Sequence, residues 1–164
     1  MTAKIMVYGA TGYTGRLVIA ESVVRGLDVI LAGRDSEKLE RIAKPLGFEF
    51  RAVSLDDEAQ LRASLSDIAV VLHIAGPFSA TAPPMLDACL ATGTHYLDVT
   101  GEIDVFESIA RRGAEARAAG VMLLPGVGFD VVPTDCLAAH VAGKVKDPHL
   151  LRLALAGVGT GVSR

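Results

Sequence analysis

The stretch Tyr8-Gly9-Ala10-Thr11-Gly12-Tyr13-Thr14-Gly15 lies between a short apolar run, residues 4–8, and a helical pattern, residues 15–25. A glycine-rich loop gains meaning from that position, at the turn from a strand into a helix. Gly9 permits the tight turn. Gly12 lets backbone N–H groups approach a diphosphate with no side chain in the way, and Gly15 lets the helix pack close to the strand. The helix N-terminus adds partial positive charge beside the phosphates. The spacing is GxxGxxG, not GxGxxG, a departure common in reductase-like dinucleotide-binding domains.

Outward from the loop, apolar runs alternate with helical patterns. The first helix carries Leu17, Ala20 and Val24 on one stripe and stops at Gly26. Further strands are expected over residues 27–32, 49–53, 68–74, 96–99 and 121–124. Helices are expected over residues 37–43 with Ser36 as cap, and from a cap at Asp56 or Asp57 to Leu65. Others start at Pro83-Pro84 and reach about Ala91, span residues 103–119, and span residues 133–142. This alternation predicts an α/β domain: a doubly wound, mostly parallel Rossmann sheet in the order 3-2-1-4-5-6, with helices on both faces. A last apolar run, residues 150–156, precedes a small-residue tail, residues 157–164, and reads as the entry to further structure.

The composition is that of one globular domain. The chain has 164 residues, 51% of them hydrophobic and 21% charged, which excludes disorder. A net charge of −3 argues against nucleic-acid binding. Cys89 and Cys136 lack CxxC spacing, so reduced thiols and a cytoplasmic setting are expected, without zinc or disulfides. The N-terminus has no signal-peptide pattern, and no apolar run has the length of a membrane span. A mean hydropathy of +0.41 is high for a free-standing domain. Either Ala-rich helices bury the sheet on both faces, or an apolar face awaits another domain or a second subunit. A homodimer is the expected assembly.

Cofactor choice is read at the end of the second strand. Domains that prefer NAD place an acid there, about 20 residues past the glycines, on the ribose 2′-OH. Here the sequence is Ala32-Gly33-Arg34-Asp35. A guanidinium at Arg34 can pair with a 2′-phosphate through two hydrogen bonds, Gly33 leaves room, and Ser36 and Lys38 offer further donors. This favours NADP, and NADPH over NADH. In the competing reading Asp35 takes the ribose and Arg34 stacks on adenine. Asp56 is suited to accept from the adenine amino group, to cap the next helix, or both. Ala75-Gly76-Pro77-Phe78 ends the fourth strand, on the edge where α/β sheets bind ligands, and is expected beside the nicotinamide ribose; a plain loop stiffened by Pro77 is the alternative.

Two later segments fall on the same edge and supply the candidate acids Asp98, Glu102, Asp130 and Asp135. For each one singly, capping or loop structure is the simpler role, with Thr134 or Asp135 well placed to start a helix. His73, in an apolar strand, reads as a satisfied core residue. No two histidines have metal-ligand spacing, so no metal is expected. The chain has no Tyr followed four residues later by Lys, no GxSxG and no GxxxxGK[ST].

The blocks YGATGYTG (8–15), LAGRD (31–35), AGPF (75–78), THYLDVTGE (94–102) and GFDVVPTD (128–135) occur in that order. Together they resemble the NADP-binding domain of saccharopine dehydrogenase-like oxidoreductases, a family that includes saccharopine reductases and trans-acting enoyl reductases. The resemblance covers residues 4–164. It implies a two-part protein: an NADP-binding domain, residues 1–149, then the start of a substrate domain or a sheet-edge segment, residues 150–164. It also implies hydride transfer to or from a C=N, C=O or activated C=C bond of a small-molecule substrate. Carried over by position, Gly9, Thr11, Gly12, Tyr13, Gly15 and Arg34 match cofactor contacts, as do Ala75, Gly76 and Pro77. Glu102, Phe129 and Asp130 match segments near the nicotinamide, and Glu102 and Asp130 are the catalytic candidates. The alternatives are a non-catalytic NADP-binding sensor or interaction module, and a structural remnant that self-associates.

Overall fold

The computed structural model describes residues 3–129 and 131–154. Six strands form one parallel sheet: β1 (Ile5–Tyr8), β2 (Val29–Gly33), β3 (Phe50–Ala52), β4 (Val70–His73), β5 (His95–Asp98) and β6 (Leu123–Leu124). Their order is β3-β2-β1-β4-β5-β6, the doubly wound order expected from the sequence. The connecting helices are α1 (Tyr13–Val24), α2 (Ser36–Ala43), α3 (Glu58–Leu65), α4 (Phe78–Thr92), α5 (Ile103–Arg111), α6 (Gly113–Ala119) and α7 (Val132–Ala142). The order reverses at β1, whose Tyr8 stands in register with Ala32 of β2 on one side and His73 of β4 on the other.

Successive residues of a strand point to opposite faces, so each central strand feeds two cores. Met6, Tyr8, Ile30, Ala32 and Val71 pack with Leu61 and Leu65 of α3, Met85 and Leu86 of α4, and Val105 and Ile109 of α5. Val7, Val29 and Leu31 pack on the other face with Ile19 of α1 and Leu39 and Ala43 of α2. Each fully buried leucine here contributes roughly 1.5–3 kcal/mol of transfer free energy. The strand β2 is buried throughout, which accounts for part of the high hydropathy. The rest lies on the surface. The helix α7 buries none of its residues, and Leu137, Val141, Val145, Leu150, Leu151 and Leu153 are exposed.

Several local expectations are corrected. In α1 the buried face is Gly15, Ile19 and Ser22. Leu17 (56%) and Val24 (80%) are exposed. The contact at Gly15 chooses the face, and residues one and two turns on follow it. Asp35, not Ser36, caps α2, accepting from Lys38 N–H at 3.0 Å. Asp57, not Asp56, caps α3, accepting from Gln60 N–H at 2.9 Å. The helix α4 begins at Phe78 and contains Pro83 and Pro84 in its interior. The carbonyls those prolines leave without a partner belong to Ser79 and Ala80, which are exposed to water. The single helix expected over residues 103–119 is broken at Arg112, whose φ of −88° and ψ of 7° depart from the helix. The break sits where Gly113 follows, a residue that weakens a helix interior by about 1 kcal/mol. Arg112 ties the two pieces back by pairing with Asp87 of α4 (2.6 Å) and Glu115 (2.9 Å). Of the last apolar run, residues 150–154 lie in irregular chain; residues 155–156 and the tail expected over residues 157–164 lie outside the described residues.

At Gly15 an added Cβ would stand 2.4 Å from the Ala10 carbonyl oxygen and 2.7 Å from that of Gly9. Both neighbours are backbone and cannot swing aside. Gly33, with nothing within 4 Å of such a Cβ, is the matched control. Gly15→Ala is expected to lower stability by about 2–3 kcal/mol, and Gly33→Ala by about 0.5 kcal/mol or less. Urea midpoints of the two variants would decide it; equal midpoints would contradict the close approach.

Candidate functional site

A cleft of about 710 Å³ opens along the carboxyl ends of β1, β2, β4 and β5. Its floor and one wall are the glycine loop, with Gly9, Thr11, Gly12, Tyr13 and Thr14. Gly33 and Arg34 close one end. Ala75, Gly76, Pro77, Phe78 and Val99 line the other. This is the switch point of the strand order, where open α/β sheets bind ligands.

The loop is shaped by its backbone. Gly9, at φ +97°, turns the chain so that its N–H and that of Ala10 both reach the Ala32 carbonyl (2.9 and 3.2 Å). A Cβ at Gly9 would lie 2.9 Å from Ala75 N, so the loops after β1 and β4 touch there. Gly12 precedes α1; no side chain caps this terminus and its first turn holds no acid. The free N–H groups of that turn are therefore available to an anion. Tyr13 stands 71% exposed at the mouth. Gly15 does not line the cleft; it lies buried beneath the loop.

The end of β2 divides the two charges cleanly. Asp35 accepts from Lys38 N–H and pairs with Lys38 Nζ at 2.8 Å. The side-chain bond from Lys38, then its N–H, holds the Asp35 carboxyl below its usual range. Arg34 is exposed, lines the cleft and has no ion pair among the described residues. Asp56 is absent from the cleft lining. It accepts from the Ser54 hydroxyl at 3.2 Å and stands near the Tyr8 phenol. Burial raises the Tyr8 pKa, the Arg34 charge opposes that, and the Asp56 charge adds to it. Tyr8 donates to the Val53 carbonyl at 3.0 Å.

Two of the four candidate acids, Asp98 and Glu102, are engaged in structure. Asp98, fully buried, accepts from Tyr96 OH (2.7 Å), Thr100 N–H (3.0 Å) and Gly126 N–H (2.8 Å), joining the ends of β5 and β6. Glu102 accepts from the N–H groups of Phe78 (2.7 Å) and Ser79 (2.9 Å), and so starts α4 from another part of the chain. Partial burial works against its charge, but these N–H groups outweigh it and hold the Glu102 carboxyl below its usual range. Asp135 is exposed in the first turn of α7, and the Thr134 hydroxyl donates to the Val131 carbonyl at 2.9 Å. Asp130 lies outside the described residues. Among the described residues no His, Cys, Asp and Glu cluster could hold a metal ion, and no helix is long and apolar enough to cross a membrane. Tyr8, Ile74 and Val99 also line the cleft without having been named as contacts; each ends or follows a strand, and Thr14 joins them from the first turn of α1, within the glycine loop.

The family model described as the saccharopine dehydrogenase NADP binding domain matches residues 5–124. The chain belongs to this family. The trans-acting enoyl reductase of Mycobacterium leprae (strain TN) is 34% identical over 80% of this chain and 33% of its own length. That of Mycobacterium tuberculosis (strain H37Rv) is likewise 34% identical, with the same coverage. The chain thus spans 33% of the length of these curated relatives. The fold is shared with the apo saccharopine dehydrogenase (L-Glu forming) of Saccharomyces cerevisiae, at a TM-score of 0.73 and 19% identity over 87% of this chain and 31% of that one. It is also shared with the triphenylmethane reductase of Citrobacter sp. in complex with NADP(H), at a TM-score of 0.56 and 20% identity over 71% of this chain and 46% of that one. NADP is the cofactor of the saccharopine dehydrogenase NADP-binding domain. The residues present fit it: a loop whose Gly9 and Gly12 bring no side chain to the cleft, an uncapped helix terminus, an arginine with no ion pair among the described residues, and an aspartate already committed to a helix.

Beneath the cleft, His73 is fully buried between the rings of Tyr8 (5.5 Å), Phe78 (5.5 Å) and Tyr96 (6.1 Å). Its Nε2 lies 3.0 Å from Thr81 Oγ1, and its Nδ1 has no partner among the described residues. Burial lowers its pKa from 6.5 to about 4. The unfolded chain therefore binds one more proton than the folded one between those values. His73 leaves stability intact above pH 6.5 and erodes it as pH falls towards 4, by on the order of 3 kcal/mol in all. Urea midpoints from neutral to acid pH should fall more steeply for the wild type than for His73→Gln; parallel profiles would contradict the buried neutral ring.

Proposed function

We propose that this domain binds NADP(H) across the cleft and forms the cofactor half of an oxidoreductase acting on a small-molecule substrate. The diphosphate is assigned to the Gly9, Thr11, Gly12 and Tyr13 loop and the α1 N-terminus, over Gly15. The 2′-phosphate is assigned to Arg34, with Asp56 and Tyr8 at the adenine end. Ala75, Gly76 and Pro77 hold the nicotinamide ribose.

When bound, the cofactor supplies or accepts a hydride at nicotinamide C4, with a C=N, C=O or activated C=C bond as partner. The chain's own residues bind and orient it. Glu102 acts by fixing the start of α4, and with it Phe78 at the cleft wall, because both of its oxygens accept backbone N–H groups. The names of the enoyl reductase relatives support a reductase, and a substrate-binding part is assigned to the remainder of a longer protein.

The observation that carries this reading is the contrast at the end of β2, where Arg34 has no ion pair among the described residues and Asp35 is held by Lys38. A charge-assisted pair with a phosphate contributes about 1.5–3 kcal/mol. Arg34→Ala should therefore weaken NADPH binding roughly 10- to 100-fold and leave NADH within about twofold. Titration by cofactor fluorescence measures both. Equal losses for the two cofactors would show that Arg34 does not read the 2′-phosphate.

A further inference from the structure

The loop Ala75-Gly76-Pro77 has no side chain longer than a proline ring, so its place against a ligand depends on where its backbone is held. Thr81, one turn into α4, holds it. Its hydroxyl lies 2.6 Å from the Ala75 carbonyl oxygen and 3.0 Å from that of Pro77. A hydroxyl has one proton to give and lone pairs to receive with. Its proton goes to these carbonyls, so at the 3.0 Å contact with His73 the ring Nε2–H is the donor. This sets the tautomer: Nε2 carries the hydrogen, and Nδ1 carries a lone pair with no partner among the described residues. Leaving a buried acceptor unpaired is unfavourable by about 1–3 kcal/mol. An apolar residue at position 73 would avoid that penalty, and would lose the donor to Thr81. Neither His73 nor Thr81 lines the cleft.

We propose that His73 and Thr81 are positioning residues of the dinucleotide site: their hydrogen-bond chain runs from the buried His73 on β4 through the half-buried Thr81 to the Ala75 and Pro77 carbonyls and sets the loop that meets the nicotinamide half. This inference rests on the cofactor reading above. The chain acts directly on the loop after β4. The glycine loop touches Ala75 but is tied through the Gly9 and Ala10 N–H groups to the Ala32 carbonyl on β2, and Arg34 follows β2 itself. Loss of the chain should therefore be felt by the whole cofactor and not by its adenosine half.

The test compares NADPH with 2′,5′-ADP, which carries the 2′-phosphate and adenine but no nicotinamide. On the full chain, Thr81→Val keeps the shape and removes the hydroxyl. It should weaken NADPH about tenfold, the loss of one or two net hydrogen bonds, and leave 2′,5′-ADP within about twofold. Thr81→Ser should restore NADPH to within about threefold of wild type. His73→Phe, which leaves the Thr81 bond to Ala75 in place, should weaken NADPH about threefold, with His73→Gln restoring the donor; this pair carries the comparison if Thr81→Val melts too low to titrate. Unchanged NADPH binding in Thr81→Val and His73→Phe, or equal loss of both ligands, overturns the positioning role. Wild-type protein that binds neither ligand overturns the cofactor reading and this inference with it.

Discussion

At Gly15 the first helix meets the loop that precedes it with no room for a single methyl group. The Ala10 carbonyl would lie 2.4 Å from any Cβ there. That contact fixes the rotation of α1, which is why Ile19 and Ser22 face inward and Leu17 does not. It also fixes the direction of the helix axis, and so aims the free N–H groups of its first turn along the edge where β1 parts from β4. The Gly9 turn is locked from both sides, by the Ala32 carbonyl on β2 and by the backbone of Ala75 after β4. Three strand ends thus share one small piece of backbone, and the cleft is what remains between them.

The other half of the cleft is held by two carboxylates, Asp98 fully buried and Glu102 half-exposed, not by glycines. Asp98 gathers Tyr96, Thr100 and Gly126, and joins β5 to the segment after β6. Glu102 reaches across to start α4. These acids sit on the edge where α/β sheets bind ligands, as the sequence suggested, but their oxygens are turned to backbone N–H groups and the Tyr96 hydroxyl. Charge near a ligand site serves here to fix the walls.

The sheet, its order and the place of the cleft were legible because they depend on local signals: β-branched runs, glycine at turns, and strict alternation. The Arg34 and Asp35 pair was legible as a choice between two readings; in the structure Asp35 caps α2 and Arg34 lines the cleft. What stayed hidden depends on residues far apart in the chain. Pro83-Pro84 suggested a helix start by a sound local rule, but the N–H groups of Phe78 and Ser79 already had a partner in Glu102. The break at Arg112 is stabilised by Asp87 on a neighbouring helix. His73 looked like a satisfied core residue; only one of its two nitrogens is satisfied, and the partner, Thr81, is on α4.

The cap at Asp35 also bears on how cofactor preference can change. An acidic side chain already stands one residue past Arg34, where an NAD-preferring domain would use it. Yet that carboxylate supports the first turn of α2 and is neutralised by Lys38. Removing the arginine alone leaves Asp35 engaged in that cap. On the proposed reading, a switch of specificity needs a second substitution that gives α2 another cap and releases Asp35, which links helix stability to nucleotide choice at this corner of the sheet.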